Sequence, residues 1–326
     1  MKVCAIVPVS PFEPRAIIEK SIESLSSLHC NGLDFEAYYV IDDGKKKNCE
    51  ALRQLLPPHF YIICRENSRG KRAGAINDIL NIIEKADYVA LFDVDSRPQK
   101  NFLIRCVRKL ESVRYGVLAS GCRFVTNKES TLTKIISVEY RFFCHIYRLA
   151  KWSGGFTQFN GLIGVSRAEF LRSIRFDECC SCEDLDVTQK IYLSGKRVLL
   201  VDTRVGEQAP TSLQDLFEQR VRWFRGAIEG LQRYLVPMLT ASVPVIVKVT
   251  WLGSLTIPFF AFLLAPFAPL YSRAIKAECG TFSESLKILF GLMGYSSFMT
   301  LCGAVAVGQY LTCRKPQWTA ANRSEV

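Results

Sequence analysis

The chain has 326 residues, a formal net charge of +11 and 49% hydrophobic residues. That length allows one large domain or two ordinary ones. Its positive charge suits nucleic acid, a membrane surface or an anionic diphosphate, but no zinc pattern, helix-turn-helix or aromatic RNA-binding signature accompanies it, so no nucleic-acid partner is expected.

The thirteen cysteines are scattered. Cys4, Cys64 and Cys122 fall in apolar, strand-like runs and read as reduced, buried thiols of a cytosolic compartment. The C-x-x-C within Cys179-Cys180-Ser181-Cys182 has no second pair at zinc-site spacing.

Taken in order, Val3 to Val9 reads as a strand buried on both faces. Met1-Lys2 leads straight into it without the pattern of a signal peptide, so about the first 240 residues are expected on the cytoplasmic side. Ile17, Ile18, Ile22, Leu25 and Leu28 then recur at helical spacing. Phe35 to Ile41 is a second strand, ending in Asp42-Asp43-Gly44, and Phe60 to Cys64 is a third. After the polar, glycine-containing stretch Arg65 to Gly74, a helix is predicted over Ala73 to Ile83. The strand Tyr88 to Phe92 follows and ends in Asp93-Val94-Asp95. Strands alternating with helices predict an α/β fold with a mainly parallel sheet, whose ligands bind beyond the carboxyl ends of the strands. Carboxylates two apart on a strand point the same way, and hard divalent cations take such oxygens. An ordinary turn through Ser96-Arg97-Pro98 is the alternative.

Further on, Asn101 to Leu110 reads as a helix, Gly116 to Val125 as a strand, and Thr131 to Leu149 as a long helix lying on the domain or on a membrane surface. Ser153-Gly154-Gly155 stops it. Phe159-Asn160-Gly161 leads into a strand from Leu162, Glu183-Asp184 opens a helix ending near Leu193, and Arg197 to Val201 is a strand. Ser212, with Asp215 three residues on, caps a helix to about Leu235. Its apolar stripe includes Leu213, Leu216, Phe224 and Leu235, with Arg220, Arg222, Arg225 and Arg233 as the basic remainder. Val249 to Tyr271 and Ile288 to Thr312 hold no charged residue, and each is long enough to cross a bilayer. Pro258, Pro266 and Pro269 predict a kinked or re-entrant first run. The expected division is therefore 1–235 as a cytosolic domain ending in the amphipathic helix, and 236–326 as a membrane region with segments 249–271 and 288–312.

Six motifs stand in sequence: Asp42-Asp43-Gly44, Gly70-Lys71-Arg72-Ala73-Gly74-Ala75-Ile76-Asn77, Asp93-Val94-Asp95, Phe159-Asn160-Gly161, Glu183-Asp184 and Gln219-Arg220-Val221-Arg222-Trp223. Their order and spacing over residues 3–235 resemble the inverting glycosyltransferases of family 2. The resemblance is to the membrane-bound branch with a Q-x-x-R-W motif, which includes cellulose, chitin and hyaluronan synthases; ceramide glucosyltransferase looks similar. This implies a GT-A (Rossmann-like nucleotide-diphospho-sugar transferase) domain with a C-terminal transmembrane region. It also implies an enzyme that moves a hexosyl or N-acetylhexosaminyl group from a UDP-sugar with inversion.

By the same resemblance, Asp95 coordinates Mg²⁺ or Mn²⁺ at the diphosphate, and Asp93 shares the metal or faces the ribose. Asp43, with Asp42 as second choice, holds the base. Lys71 and Arg222 meet the phosphates, and Gly70 and Gly74 let backbone approach them. Asp184 is the general base, and Asn160, Gly161, Glu183, Gln219 and Trp223 lie on the acceptor side, Trp223 as a stacking surface. Read without the resemblance, Lys71 and Arg72 form a solvated loop, Asp184 is a helix cap, and Trp223 is a membrane anchor. The large synthases carry transmembrane helices before the catalytic domain and several after it, whereas here none is expected before and about two after. The acceptor is then a glycan, or a lipid glycosylated in one step, with homo-oligomer assembly as a further route. A non-catalytic membrane protein is the remaining reading.

Overall fold

The structure is a computed structural model and describes residues 1–42, 47–54, 56–159, 161 and 163–314. In chain order its first elements are β1 (Lys2–Val9), α1 (Arg15–Ser26), β2 (Asp34–Ile41), α2 (Lys47–Arg53), β3 (Phe60–Cys64), α3 (Lys71–Ile82), β4 (Tyr88–Leu91), β5 (Arg97–Pro98) and α4 (Phe102–Ser112). They continue with β6 (Gly116–Val125), α5 (Thr131–Ser153), β7 (Gly164–Arg167), α6 (Ala168–Ile174), α7 (Glu183–Leu193), β8 (Arg197–Glu207) and α8 (Leu213–Thr240). Last come α9 (Val245–Thr256), a 3₁₀ segment (Ile257–Tyr271), α10 (Ser272–Glu278) and α11 (Phe282–Leu311). Among the described residues two compact units form: Met1–Cys122 with Thr157–Gly206, and Arg123–Phe156 with 207–314.

The sheet has the strand order β3-β2-β1-β4-β7-β6-β8-β5 among the described residues. Val3 to Val7 of β1 are wholly buried, as their unbroken apolar run requires, and Ala5 stands in register with Ala37 on one side and Ala90 on the other. On the outer face Ile17, Ile18, Ile22 and Leu25 of α1 cover the core. The first four strands pair in parallel. The expectation of a mainly parallel sheet stops there, because β7 is antiparallel to both β4 and β6 and β5 is antiparallel to β8. A buried strand of four residues carries no signal of its partner's direction.

In the second unit, α5 opens with a capping box between Ser130 and Thr133 and ends at Gly154, whose φ of +71° supplies the left-handed stop. It runs four residues past the expected end at Leu149. Ser212 caps α8 as the sequence predicts, accepting from the Asp215 N–H at 3.0 Å. Leu216, Val221 and Phe224 are buried, while Leu213 and Leu235 are exposed. Arg220, expected in the basic remainder of the helix outside its apolar stripe, is wholly buried. The kink predicted from the prolines is present: α9 gives way to the 3₁₀ segment, with Phe260 outside helical geometry. Val245–Leu263 and Phe282–Leu311 are long and apolar enough to cross a membrane by length and composition.

The cysteine expectation is corrected at two positions. Cys64 is disulfide-bonded to Cys49, and Cys122 is also in a disulfide, whereas Cys4 is free and buried. Apolar surroundings bury a thiol but do not say which other sulfur lies within reach.

Candidate active site

β4 ends at Leu91, and Asp93 and Asp95 follow it in a turn. The period-two argument for a shared direction therefore does not apply to them. Hydrogen bonds fix the turn instead. The Asp93 N–H donates to Ser96 Oγ at 3.0 Å, and the Ser96 N–H donates back to the Asp93 carbonyl at 2.9 Å. Arg97 donates to the Val94 and Ser96 carbonyls, each at 2.9 Å. Asp95 is only 8% exposed. The turn thus carries two carboxylates, the ligand type that a hard divalent cation such as Mg²⁺ or Mn²⁺ takes.

The cation paired with Asp93 is Arg72. It stands 2.6 Å from Asp93 Oδ1 and 3.5 Å from Glu183 Oε1. Burial pulls the Arg72 pKa down, but Asp93, Glu183, Asp184 and Asp95 together hold it above the ordinary arginine value. Lys71, which the motif pattern put forward, is exposed at the helix start with a φ of +48°. One residue along a helix is a turn of about 100°, so the pattern alone does not tell which basic side chain faces inward.

The approach to α3 depends on two glycines. Gly70 has a φ of +62°, and a Cβ there would lie 2.6 Å from Glu178 Oε2. At Gly74 a Cβ would lie 2.0 Å from the Arg69 carbonyl oxygen. Gly74→Ala should cost about 1–3 kcal/mol of stability, read as a lowered unfolding midpoint. Asn77 anchors the other side, donating to the Phe176 carbonyl at 2.9 Å and to Glu178 Oε1 at 3.0 Å. Arg69 pairs with both Glu178 and Asp78.

Arg65 is a residue the sequence reading missed. It is 8% exposed, pairs with Asp42 at 3.0 Å, and donates to the carbonyls of Asn67, Arg69 and Lys71. One buried guanidinium thus shapes the whole loop ahead of α3. Burial lifts the Asp42 carboxyl pKa against the pull of Arg65, and Asp78 adds to the lift. Asp43 and Asn160 lie outside the described residues.

Asp184 is the second residue of α7, whose N-cap is Cys182. The capping alternative therefore does not describe it. Its Oδ2 accepts the Gly161 N–H at 2.7 Å and its Oδ1 the Leu185 N–H at 2.8 Å. Burial raises its pKa and the Glu183 charge adds to this, while the Gly161 and Leu185 N–H groups and Arg72 oppose; the net direction is upward. A carboxylate of this kind loses its ionised form at a higher pH than an ordinary one, and if it serves as the base of the reaction the rate follows that ionisation. A pH–rate profile should therefore show activity rising with pH through an acid limb above the usual carboxylate range, and Asp184→Asn should flatten that limb.

The first unit thus gathers Asp93, Asp95, Glu183, Asp184, Gly161 and Arg72. Gln219, Arg222 and Trp223 belong to the second unit, on α8. There Arg220 stacks on the Trp223 ring at 4.0 Å from the centroid, and Arg123 stands at 5.9 Å. Each of these arginines has its own carboxylate: Arg220 has Glu139 at 2.5 Å, and Arg123 has Glu207 at 3.1 Å.

A family model described as Glycosyl transferase family group 2 matches residues 88–274, more than half of the chain. The chain is 29% identical over 191 residues to the probable glucomannan 4-beta-mannosyltransferase 3 of Oryza sativa subsp. japonica, covering 55% of this chain and 34% of the relative. It is 27% identical over 240 residues to the beta-monoglucosyldiacylglycerol synthase of Synechocystis sp., covering 72% and 49%. The chain therefore spans between a third and a half of the length of these curated relatives. In structure it is similar to a mannosyltransferase from Pyrobaculum calidifontis solved in complex with GDP-Man and Mn²⁺, with a TM-score of 0.67, 17% identity, and coverage of 96% of this chain and 88% of that one. That likeness establishes a GT-A-like fold.

Proposed function

We propose, for a chain that belongs to glycosyl transferase family group 2, that it is an inverting, metal-dependent transferase acting on a nucleotide-diphosphate sugar. The observation that carries this reading is Arg72 set among Asp93, Asp95, Glu183 and Asp184. A diphosphate needs cations, and a hydroxyl nucleophile needs a carboxylate base; this cluster supplies the second and prepares the first. Asp95, with Asp93, would hold Mg²⁺ or Mn²⁺, which supplies Lewis-acid stabilisation to the departing diphosphate. Arg72 exchanges its carboxylate partners for phosphate oxygens when the donor enters, with Lys71 beside it in the chain, and Arg222 is a separate candidate for phosphate binding. Asp42 and Asp43 receive the base of a UDP donor. Asp184 takes the proton of the acceptor hydroxyl, its carboxylate oriented by the Gly161 and Leu185 N–H groups. Asn160, Gly161 and Glu183 are the residues proposed for acceptor binding, with Gln219 and Trp223 as separate candidates for the same role.

Residues 1–235 form the catalytic part, facing the cytoplasm, and 236–326 attach it to a membrane. The preferred acceptor is a glycan, supported by the glucomannan mannosyltransferase relatives. A lipid acceptor is the second reading, favoured by the likeness to the glucosyldiacylglycerol synthase and by the apolar helices. Donor binding tests the metal assignment. Nucleoside-diphosphate affinity should fall at least about tenfold on chelation with EDTA, recover with Mn²⁺, and lose this response in Asp95→Asn. Equal affinity with and without the metal would contradict the assignment.

A further inference from the structure

The two apolar runs are long enough to cross a bilayer, but the second unit sets charged and polar partners along the second of them, α11. α11 has 30 residues, about 45 Å of helix. α8 runs beside it in the same direction. Phe217 meets Phe298 with ring centroids 6.2 Å apart, and Arg220 Nε donates to the Tyr295 hydroxyl at 3.0 Å. Phe224 packs with Met299 and Cys302. Arg225 stacks on Tyr310 at 4.7 Å, and the Tyr310 hydroxyl donates to Gln232. In the first turn of α11, Glu284 pairs with Lys134 of α5. Polar partners thus meet α11 at its start, its middle and its end.

If α11 stood upright in a bilayer, α8 would stand with it. Glu218, Arg220, Arg222, Arg225, Glu229 and Arg233 would then enter hydrocarbon, and the Glu139–Arg220 pair would lie near the mid-plane. Such charges are expensive there. The link between the two runs points the same way. The Glu278 side chain, 2% exposed, pairs with Lys128 at 2.8 Å and with Arg141 of α5. Phe142 of α5 lies 4.4 Å from Tyr271, centroid to centroid. The link is therefore held against α5, whereas a first run that crossed the membrane would deliver it to the opposite side.

We propose that α8, α9, the 3₁₀ segment and α11 lie in the membrane plane, seated in one leaflet, and that neither apolar run spans. The occupant of their exposed face is an anionic lipid surface. Val249, Phe260, Phe262, Phe290 and Leu301 are exposed apolar side chains on these elements, suited to a depth of about 5–10 Å. The end of α5 carries a headgroup-level anchor: Trp152 is 87% exposed, and Arg148 and Lys151 are exposed beside it. Tryptophan favours that level, and cations there attract anionic lipid. The Phe156 N–H donates to Thr250 Oγ1 at 2.8 Å, tying this end of α5 to α9.

The inference rests on the membrane attachment proposed above, and one experiment separates the two. The full chain is reconstituted in sealed phosphatidylcholine–phosphatidylglycerol vesicles, and those displaying an N-terminal affinity tag are captured. They are then treated with a membrane-impermeant amine reagent. Lys276, exposed in the link, should react within about twofold of Lys151 in intact vesicles, without further gain on permeabilisation. Lys276 protected until the vesicles are opened would overturn the in-plane arrangement. A chain that fails to float with vesicles would overturn the attachment itself.

Discussion

Asp184→Asn should lower the transfer rate by about two to four orders of magnitude, the usual contribution of a positioned general base, and leave nucleotide affinity nearly unchanged. The substitution keeps the shape of the side chain and one acceptor oxygen. It removes the negative charge and one of the two acceptors that Gly161 and Leu185 use at 2.7 and 2.8 Å. The lost hydrogen bond costs about 1 kcal/mol, too little to unfold the unit. Burial already disfavours the charged form of Asp184, so neutralising it relieves a cost and offsets part of that loss. Single-turnover rates set beside nucleotide dissociation constants separate the effects. A full rate in this variant would remove Asp184 from the base role.

Arg220→Ala should destabilise the second unit by about 3–5 kcal/mol, the range for breaking one partner out of a buried pair. Arg220 is wholly buried. It donates to Glu139 Oε2 at 2.5 Å and to the Tyr295 hydroxyl at 3.0 Å, while that hydroxyl donates to Glu139 Oε1 at 3.0 Å. Truncation leaves Glu139 as a buried charge with one neutral partner, and Trp223 without the guanidinium 4.0 Å from its ring. Replacing both partners, as Arg220→Met with Glu139→Leu, should recover most of the stability, because the orphaned charge goes with its partner. Heat-inactivation midpoints of the single and paired variants check this. A paired variant no more stable than Arg220→Ala would show that the arginine acts by packing alone.

The parts of this protein that were legible in the sequence share a short range. The Ser212–Asp215 cap lies within one turn, and short apolar runs announce β1 to β4 and helical spacing announces α1 and α3, whereas α2 carried no such signal. Asp93, Asp95, Glu183 and Asp184 were legible as motifs, and they do come together around Arg72. What the sequence did not display depends on distant partners. Glu139 is 81 residues from Arg220, so nothing near Arg220 marks it as buried rather than solvated. Arg65 reads as one more basic residue until its loop folds around it and Asp42 meets it. The choice between Lys71 and Arg72 turns on which side of α3 meets the strand ends, and the antiparallel entry of β7 on a register that four apolar residues do not encode. The position of the aspartates in a turn, not on a strand, follows from Ser96 closing the chain after β4.

Sugar transfer from a nucleotide-diphosphate donor, with Asp184 as base, is the step on which the proposed function rests. The most direct test is product analysis of the full chain in lipid vesicles, supplied in turn with UDP- and GDP-sugars, Mn²⁺, and glycan or diacylglycerol acceptors. At least one donor should release its nucleoside diphosphate in step with the appearance of a glycoside of inverted anomeric configuration, which Asp184→Asn should form at least about a hundredfold more slowly. A product that retains the donor's configuration, or one formed equally by Asp184→Asn, would contradict it.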